Sequence, residues 1–288
     1  MNAAMPGPLV DAEWLQSQLD AADLRVFDCT TNLIPHPEIV YTVESGRAEY
    51  DRGHIPGAGF IDLQGELSDK ASDLRFTLPP QAQFEAVMSA KGVEAGTRVV
   101  LYSQTTPQWA TRVWWMLRSF GFDDAMVLDG GLSKWRAEGR PLSTKPAAYP
   151  PARFVAQPRL HLIAGKDDVQ AALGDESCLV LNALSAEQHR GGGRHYGRPG
   201  RIAGSGCVPA AEMLDGVNGP YLPMTEIEAR MREAGALDAP RVITYCGGGI
   251  AASSTAFLLT MLGQENVQLY DGSLSEWVRD PALPMETG

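Results

Sequence analysis

The chain has 288 residues, room for two domains of ordinary size, and its 44% hydrophobic and 8% aromatic content supplies packed cores and excludes wholesale disorder. Its net charge of −11 repels phosphate backbones and anionic lipid, so nucleic acid and membrane surfaces are not expected partners. No apolar run approaches the roughly 18 residues that span a bilayer, and the first basic residue is Arg25, which removes the basic start of a secretory signal and leads to an expected cytoplasmic location.

In chain order, LRVFDC (Leu24 to Cys29) is followed by Thr30 to Arg47, rich in proline and polar residues. That segment reads as a surface loop, with the alternative that it overhangs a cleft. GHIPG (Gly53 to Gly57) carries His54, either a histidine pinning a loop or a proton donor and acceptor near an interdomain cleft. Val99 to Tyr102 reads as a buried strand, Ala110 to Phe120 as an apolar helix, and Ala125 to Leu128 as the next strand. Pro141 to Pro158 holds five prolines and reads as an extended linker. The expected division is a first domain over 1–145, a linker over 146–160 and a second domain over 161–288.

The second half repeats the first at an offset of 142 or 143 positions: RVVLYS matches RVITYC, and GFDDAMVLDGGLSKW matches GQENVQLYDGSLSEW. LRVFDC likewise faces CLVLNA, and GHIPG faces GRIAG. Val242 to Tyr245 and Val267 to Tyr270 are therefore strands, with Ala251 to Leu262 the helix between them. Strand–helix–strand alternation predicts an α/β fold of tandem domains, each a mostly parallel sheet covered by helices on both faces. Ligands in such folds bind beyond the carboxyl ends of the strands.

Four cysteines (Cys29, Cys178, Cys207, Cys246) lie far apart with no CxxC pair, which argues against a zinc site and a disulfide framework. Cys29, Cys178 and Cys207 read as packing residues, as Trp114, Trp115, Trp135 and Trp277 read as core or interface aromatics. Cys246 differs. It is followed by Gly247, Gly248 and Gly249 and then Ile250, Ala251 and Ala252 at the start of a helix. Consecutive glycines let main-chain N–H groups turn inward, and the positive end of a helix dipole points at the same place. Such a cradle would stabilise a thiolate nucleophile and any anionic sulfur it acquired.

The plainer account makes Cys246 the last residue of a strand and the glycines a tight turn. The repeat weighs against it, because the first copy makes the same connection as SQTTPQW, without cysteine or glycine and with Pro107 lacking an N–H. A cysteine phosphatase is disfavoured as well: the position that would hold its phosphate-gripping arginine is Ala252. HRGGGRHYGRPGRIAG (His189 to Gly204) carries four arginines and no acid, so it is either a solvated loop or a set of guanidinium donors for a small anion.

Taken together, FDC, GHIPGAGFIDL, LDGGLSKW, YCGGGIAA, YDGSLSEW and LPMETG resemble the two-domain rhodanese-like sulfurtransferases that use thiosulfate or 3-mercaptopyruvate. The resemblance covers almost the whole chain. It implies an inactive first copy, no metal or organic cofactor, and a catalytic Cys246 that rests as a persulfide. That cysteine would take sulfur from a small anionic donor and pass it to cyanide or a thiol, such as glutathione or a thioredoxin-like protein. The mercaptopyruvate group usually reads CGSGVT where this chain reads CGGGIA, so Gly248 and Ala251 remove two hydroxyls. In that group Arg194 matches a carboxylate-binding arginine. The second such arginine falls on Gln188, with Arg190 or Arg198 as possible substitutes. A thiosulfate-preferring enzyme and a non-catalytic persulfide carrier are the alternatives.

Overall fold

Short β-branched runs separated by apolar helices leave each half of the chain one way to bury its strands, an all-parallel sheet with helices laid over it. The computed structural model describes residues 6–147 and 149–288. The first half contributes β1 (Leu9–Val10), β2 (Leu24–Asp28), β3 (Thr31–Pro35), β4 (Tyr41–Ser45), β5 (Gly59–Phe60), β6 (Arg98–Tyr102) and β7 (Ala125–Leu128). Their sheet order is β1-β7-β6-β2-β5, while β3 and β4 leave the sheet as an antiparallel hairpin.

The second half contributes β8 (Ile163–Ala164), β9 (Cys178–Asn182), β10 (Arg201–Ile202), β11 (Gly206–Cys207), β12 (Arg241–Tyr245), β13 (Val267–Tyr270) and β14 (Met285–Glu286). The order β8-β13-β12-β9-β11 reproduces that of the first sheet position for position, and β10 pairs with β14. The matched GHIPG and GRIAG segments dock alike: Ile55 N–H donates to the Tyr102 hydroxyl at 3.3 Å and Ile202 N–H to the Tyr245 hydroxyl at 3.1 Å. No described helix is long and apolar enough to cross a membrane.

Alternation along β12 decides where Cys246 points. Ile243 and Tyr245 join the outer core of the second half, whereas Val242 and Cys246 join the large core shared by both halves. That shared core is closed by the helices Gln108–Ser119 and Ile250–Met261, which pack on each other with the edge of Trp114 against Phe257 at 4.8 Å. The contacts across it are reciprocal. Leu78 N–H donates to Asp271 at 2.7 Å, its repeat equivalent Tyr221 N–H donates to Asp129 at 2.8 Å, and the equivalent hydroxyls of Thr111 and Ser253 meet at 3.0 Å.

The proline-rich segment is extended, but it is not a free tether. Ser143 bridges His54, the Tyr149 hydroxyl donates to Gly57 O at 2.6 Å, Phe154 is buried, and Gln157 N–H reaches Phe120 O at 2.8 Å.

Candidate active site

Cys246 follows directly on β12, and the parallel pairing of Tyr245 with Asn182 brings the end of β9 to the same sheet edge. The arginine-bearing loop therefore starts beside the thiol. Two of the three loop glycines are required by geometry. Gly249 has φ +77°, and a Cβ there would stand 3.0 Å from Arg112 Nη1 and 3.1 Å from Asp271 O. A Cβ on Gly247 would lie 1.9 Å from Cζ of Tyr196, whose ring covers that glycine. Gly248 is different, because a Cβ there meets nothing closer than 3.8 Å.

The loop is held from below by Ser273, which is fully buried and carries φ +49°, a left-handed conformation rare outside glycine. Its hydroxyl accepts the N–H of Cys246 and the N–H of Gly249, each at 3.1 Å, and donates to Tyr270 O at 2.8 Å. Asp271, two residues earlier, pairs with the buried Arg112 from the first half. Arg112 also donates to Phe76 O, while its Nε and Nη1 have no partner among the described residues.

Gly249, expected in the anion cradle, thus spends its N–H on Ser273 and instead shapes the turn. Among the described residues the N–H groups of Gly247, Gly248, Ile250, Ala251 and Ala252 have no protein acceptor. They stand at the N-terminus of a 12-residue helix, where the macrodipole adds positive potential.

Cys246 lies on the wall of a cavity of about 390 Å³. Gly247, Gly248, Ile250 and Ala251 form its floor, and Thr31, Asn32, Leu33, Ile34 and Tyr41 of the β3–β4 hairpin overhang it with Trp109 and Tyr196. The segment expected to be a surface loop is therefore the roof of the site. No charged side chain lines the cavity among the described residues. Burial first, then the charge of Cys246, pushes the Tyr41 phenol up to about 12; burial, Tyr41 and Cys246 push Tyr196 up too.

The expected anion-binding residues are scattered. Arg194 donates to His36 O and Val40 O at 3.1 and 2.9 Å and lines a neighbouring cavity that shares Tyr196 with the thiol's. Gln188 donates to Arg194 O at 2.9 Å, Arg190 is exposed, and Arg198 donates to the carbonyls of Asp280 and Leu283. None of these four lines the Cys246 cavity. For His54 the geometry favours the loop-pinning alternative over the proton donor expected among the substrate-binding residues. It is fully buried and stacked on Tyr50 at 3.9 Å, and its ring nitrogens are 2.8 Å from Tyr50 O and 2.9 Å from Lys145 O.

All four cysteines are free. Burial raises the thiol of Cys29 well above its ordinary value, raises Cys178, and takes Cys207 up to about 11, so these three remain protonated at neutral pH. Reading the residues missed Tyr41, Tyr196, Trp109, Arg112 and Ser273. Only Ser273 had left a signal, as the serine of YDGSLSEW against the glycine of LDGGLSKW.

The rhodanese-like domain model matches residues 11–138 and again 166–280. The chain belongs to the rhodanese-like family. It is 34% identical to thiosulfate/3-mercaptopyruvate sulfurtransferase 2 of Arabidopsis thaliana, over 96% of this chain and 86% of that protein. It is 32% identical to a probable 3-mercaptopyruvate sulfurtransferase of Pseudomonas aeruginosa, over 97% of this chain and 98% of that one. Among solved structures, the 3-mercaptopyruvate sulfurtransferase SseA of Escherichia coli superposes with a TM-score of 0.80 at 28% identity, covering 93% of this chain and 99% of its own.

Proposed function

We propose that the protein is a sulfurtransferase working by double displacement through a persulfide on Cys246. The Cys246 thiolate attacks the sulfur of 3-mercaptopyruvate or the outer sulfur of thiosulfate, and the enolate of pyruvate, which is then protonated, or sulfite departs. Cyanide or a thiol, of the glutathione or thioredoxin-like kind, then removes the terminal sulfur. The observation that carries this reading is the thiol on a cavity wall beside five main-chain N–H groups without an acceptor among the described residues, those of Gly247, Gly248, Ile250, Ala251 and Ala252. These donors would hold the anionic sulfur. Arg194, one cavity away, is the residue we assign to the donor's anionic end; Arg190 and Arg198 are less well placed. The half over 1–145 would support the site without catalysing, having Ser103 where the other half has Cys246. Four free thiols suit a reducing compartment such as the cytoplasm.

Cys246→Ser is expected to abolish turnover in a matrix of both donors against cyanide and thiols; full retention would remove the proposal. The same matrix separates a thiosulfate-preferring enzyme from a mercaptopyruvate-preferring one. A second reading, a persulfide carrier, is favoured by the loop's missing hydroxyls at Gly248 and Ala251. It predicts one sulfur loaded per chain with negligible turnover.

A further inference from the structure

Gly248 is the loop glycine whose side-chain space is open, and the atom nearest to a Cβ built there is the Tyr41 hydroxyl oxygen, at 3.8 Å. In the mercaptopyruvate group that this loop resembles, the same position usually carries serine. A phenol hydroxyl from the first half thus stands in contact distance of the place where the loop lacks its own hydroxyl. Tyr41 and Cys246 line the same cavity. The tyrosine is held on several sides: Arg75 donates to its carbonyl and lies 5.2 Å from its ring centroid, and Tyr196 meets its ring edge-on at 6.3 Å. Ser275 Oγ, also near Gly248, is already committed to Gly247 O at 2.6 Å.

We propose that Tyr41 is a catalytic proton donor, lent by the non-catalytic half to replace the hydroxyl missing at Gly248. The inference rests on the sulfur transfer proposed above. When the Cys246 thiolate attacks the sulfur of 3-mercaptopyruvate, an S–S bond forms, the C–S bond breaks, and its electron pair leaves as the enolate of pyruvate. Tyr41 donates its proton to that enolate. The resulting phenolate recovers a proton from the outer S–H of the new persulfide, which remains as the anion over the free N–H groups. Overall, one thiolate and one mercaptopyruvate give one persulfide anion and one pyruvate. With thiosulfate the leaving group is sulfite, which departs with its electron pair and needs no proton. Burial, with the Cys246 charge, keeps the phenol protonated at neutral pH despite the opposing influence of Arg75.

The test is Tyr41→Phe in the full-length protein, with cyanide as acceptor and each donor in turn. A general acid contributes about a hundredfold or more, so turnover of 3-mercaptopyruvate should fall by about that factor while thiosulfate turnover stays within about twofold. Adding Gly248→Ser to Tyr41→Phe should restore much of the loss by returning a hydroxyl to the loop. Equal losses with both donors would show a merely structural tyrosine and overturn the inference, as would no loss with either. A wild-type protein that uses thiosulfate alone overturns it too. A wild-type protein inert with both donors would instead overturn the function proposed above.

Discussion

Ser103 and Cys246 follow directly on matched strands, and the residue after each matched Asp-Gly pair holds the same left-handed backbone, with Gly131 at φ +50° and Ser273 at φ +49°. In the first copy side-chain hydroxyls and a proline take up the start of the turn. Gln104 N–H donates to Thr30 Oγ1 at 2.9 Å, Thr105 N–H to Ser103 Oγ at 3.1 Å, and Pro107 has no N–H to offer. A Cβ on Gly131 would press to 2.3 Å from Ser103 O, so the first turn excludes a serine there. In the second copy a serine takes that position, at a strain cost of order 1–2 kcal/mol, and collects the N–H groups of Cys246 and Gly249. Among the described residues the N–H groups of Gly247, Gly248 and Ile250 around them are left without acceptors. The difference teaches that both copies start a helix with free donors among the described residues, Gln108, Trp109 and Ala110 in one and Ile250, Ala251 and Ala252 in the other, and that the second alone sets a cysteine and the open N–H groups of Gly247 and Gly248 beside them.

The interface shows the same inequality. Where the second half places Ser254, hydrogen-bonded to Tyr221 at 2.8 Å, the first half places the buried Arg112 against Asp271 beneath the cysteine loop. Breaking that ion pair should give the largest stability effect. Arg112→Met leaves Asp271 without its cation and is expected to cost about 3 kcal/mol, the low end for a buried pair, because the orphaned guanidinium donors leave with it. Ser254→Ala should cost about 1 kcal/mol by the same urea titration. Equal losses would mean that the halves contribute alike and that Arg112 has no special hold on the loop.

A sharper cut is Ser273→Gly, which keeps the left-handed backbone and removes only the hydroxyl. Relief of strain offsets the lost hydrogen bonds, so stability should stay within about 1 kcal/mol of wild type while turnover drops about tenfold or more. Unchanged turnover would detach loop order from chemistry. The smallest expected effect is that of Ser103→Cys. Beside the transplanted thiol Gln104 N–H is already bonded to Thr30 Oγ1, Pro107 has no N–H and no consecutive glycines turn the chain inward, so incubation with donor should add no sulfur to it; a sulfur found there would erase the distinction between the copies.

Much of this was legible in the sequence because it is local. The strands β6 and β12 are β-branched runs of the right length, β7 and β13 are short runs that repeat each other, and the helices between them start within two residues of the expected positions. The Cys246 loop stood out because its counterpart in the first copy had no use for glycine. What the sequence hid is long-range. Tyr41 and Arg112 reach the site only because the first half packs its hairpin and interface helix against the second, and no spacing along the chain encodes that approach. The arginine loop left its directions open for a related reason: its glycines allow several, and hydrogen bonds to distant carbonyls decide that Arg198 turns toward Asp280 and Leu283 and Arg194 toward the hairpin.

Peptide mapping by mass after exposure to 3-mercaptopyruvate or thiosulfate, with no acceptor present, bears most directly on where sulfur rests. One added sulfur atom per chain is predicted, confined to the peptide that contains Cys246 and removed by cyanide. Sulfur on Cys29, Cys178 or Cys207, or none on any cysteine, would contradict the assignment of the unsatisfied amides of the second copy as its resting place.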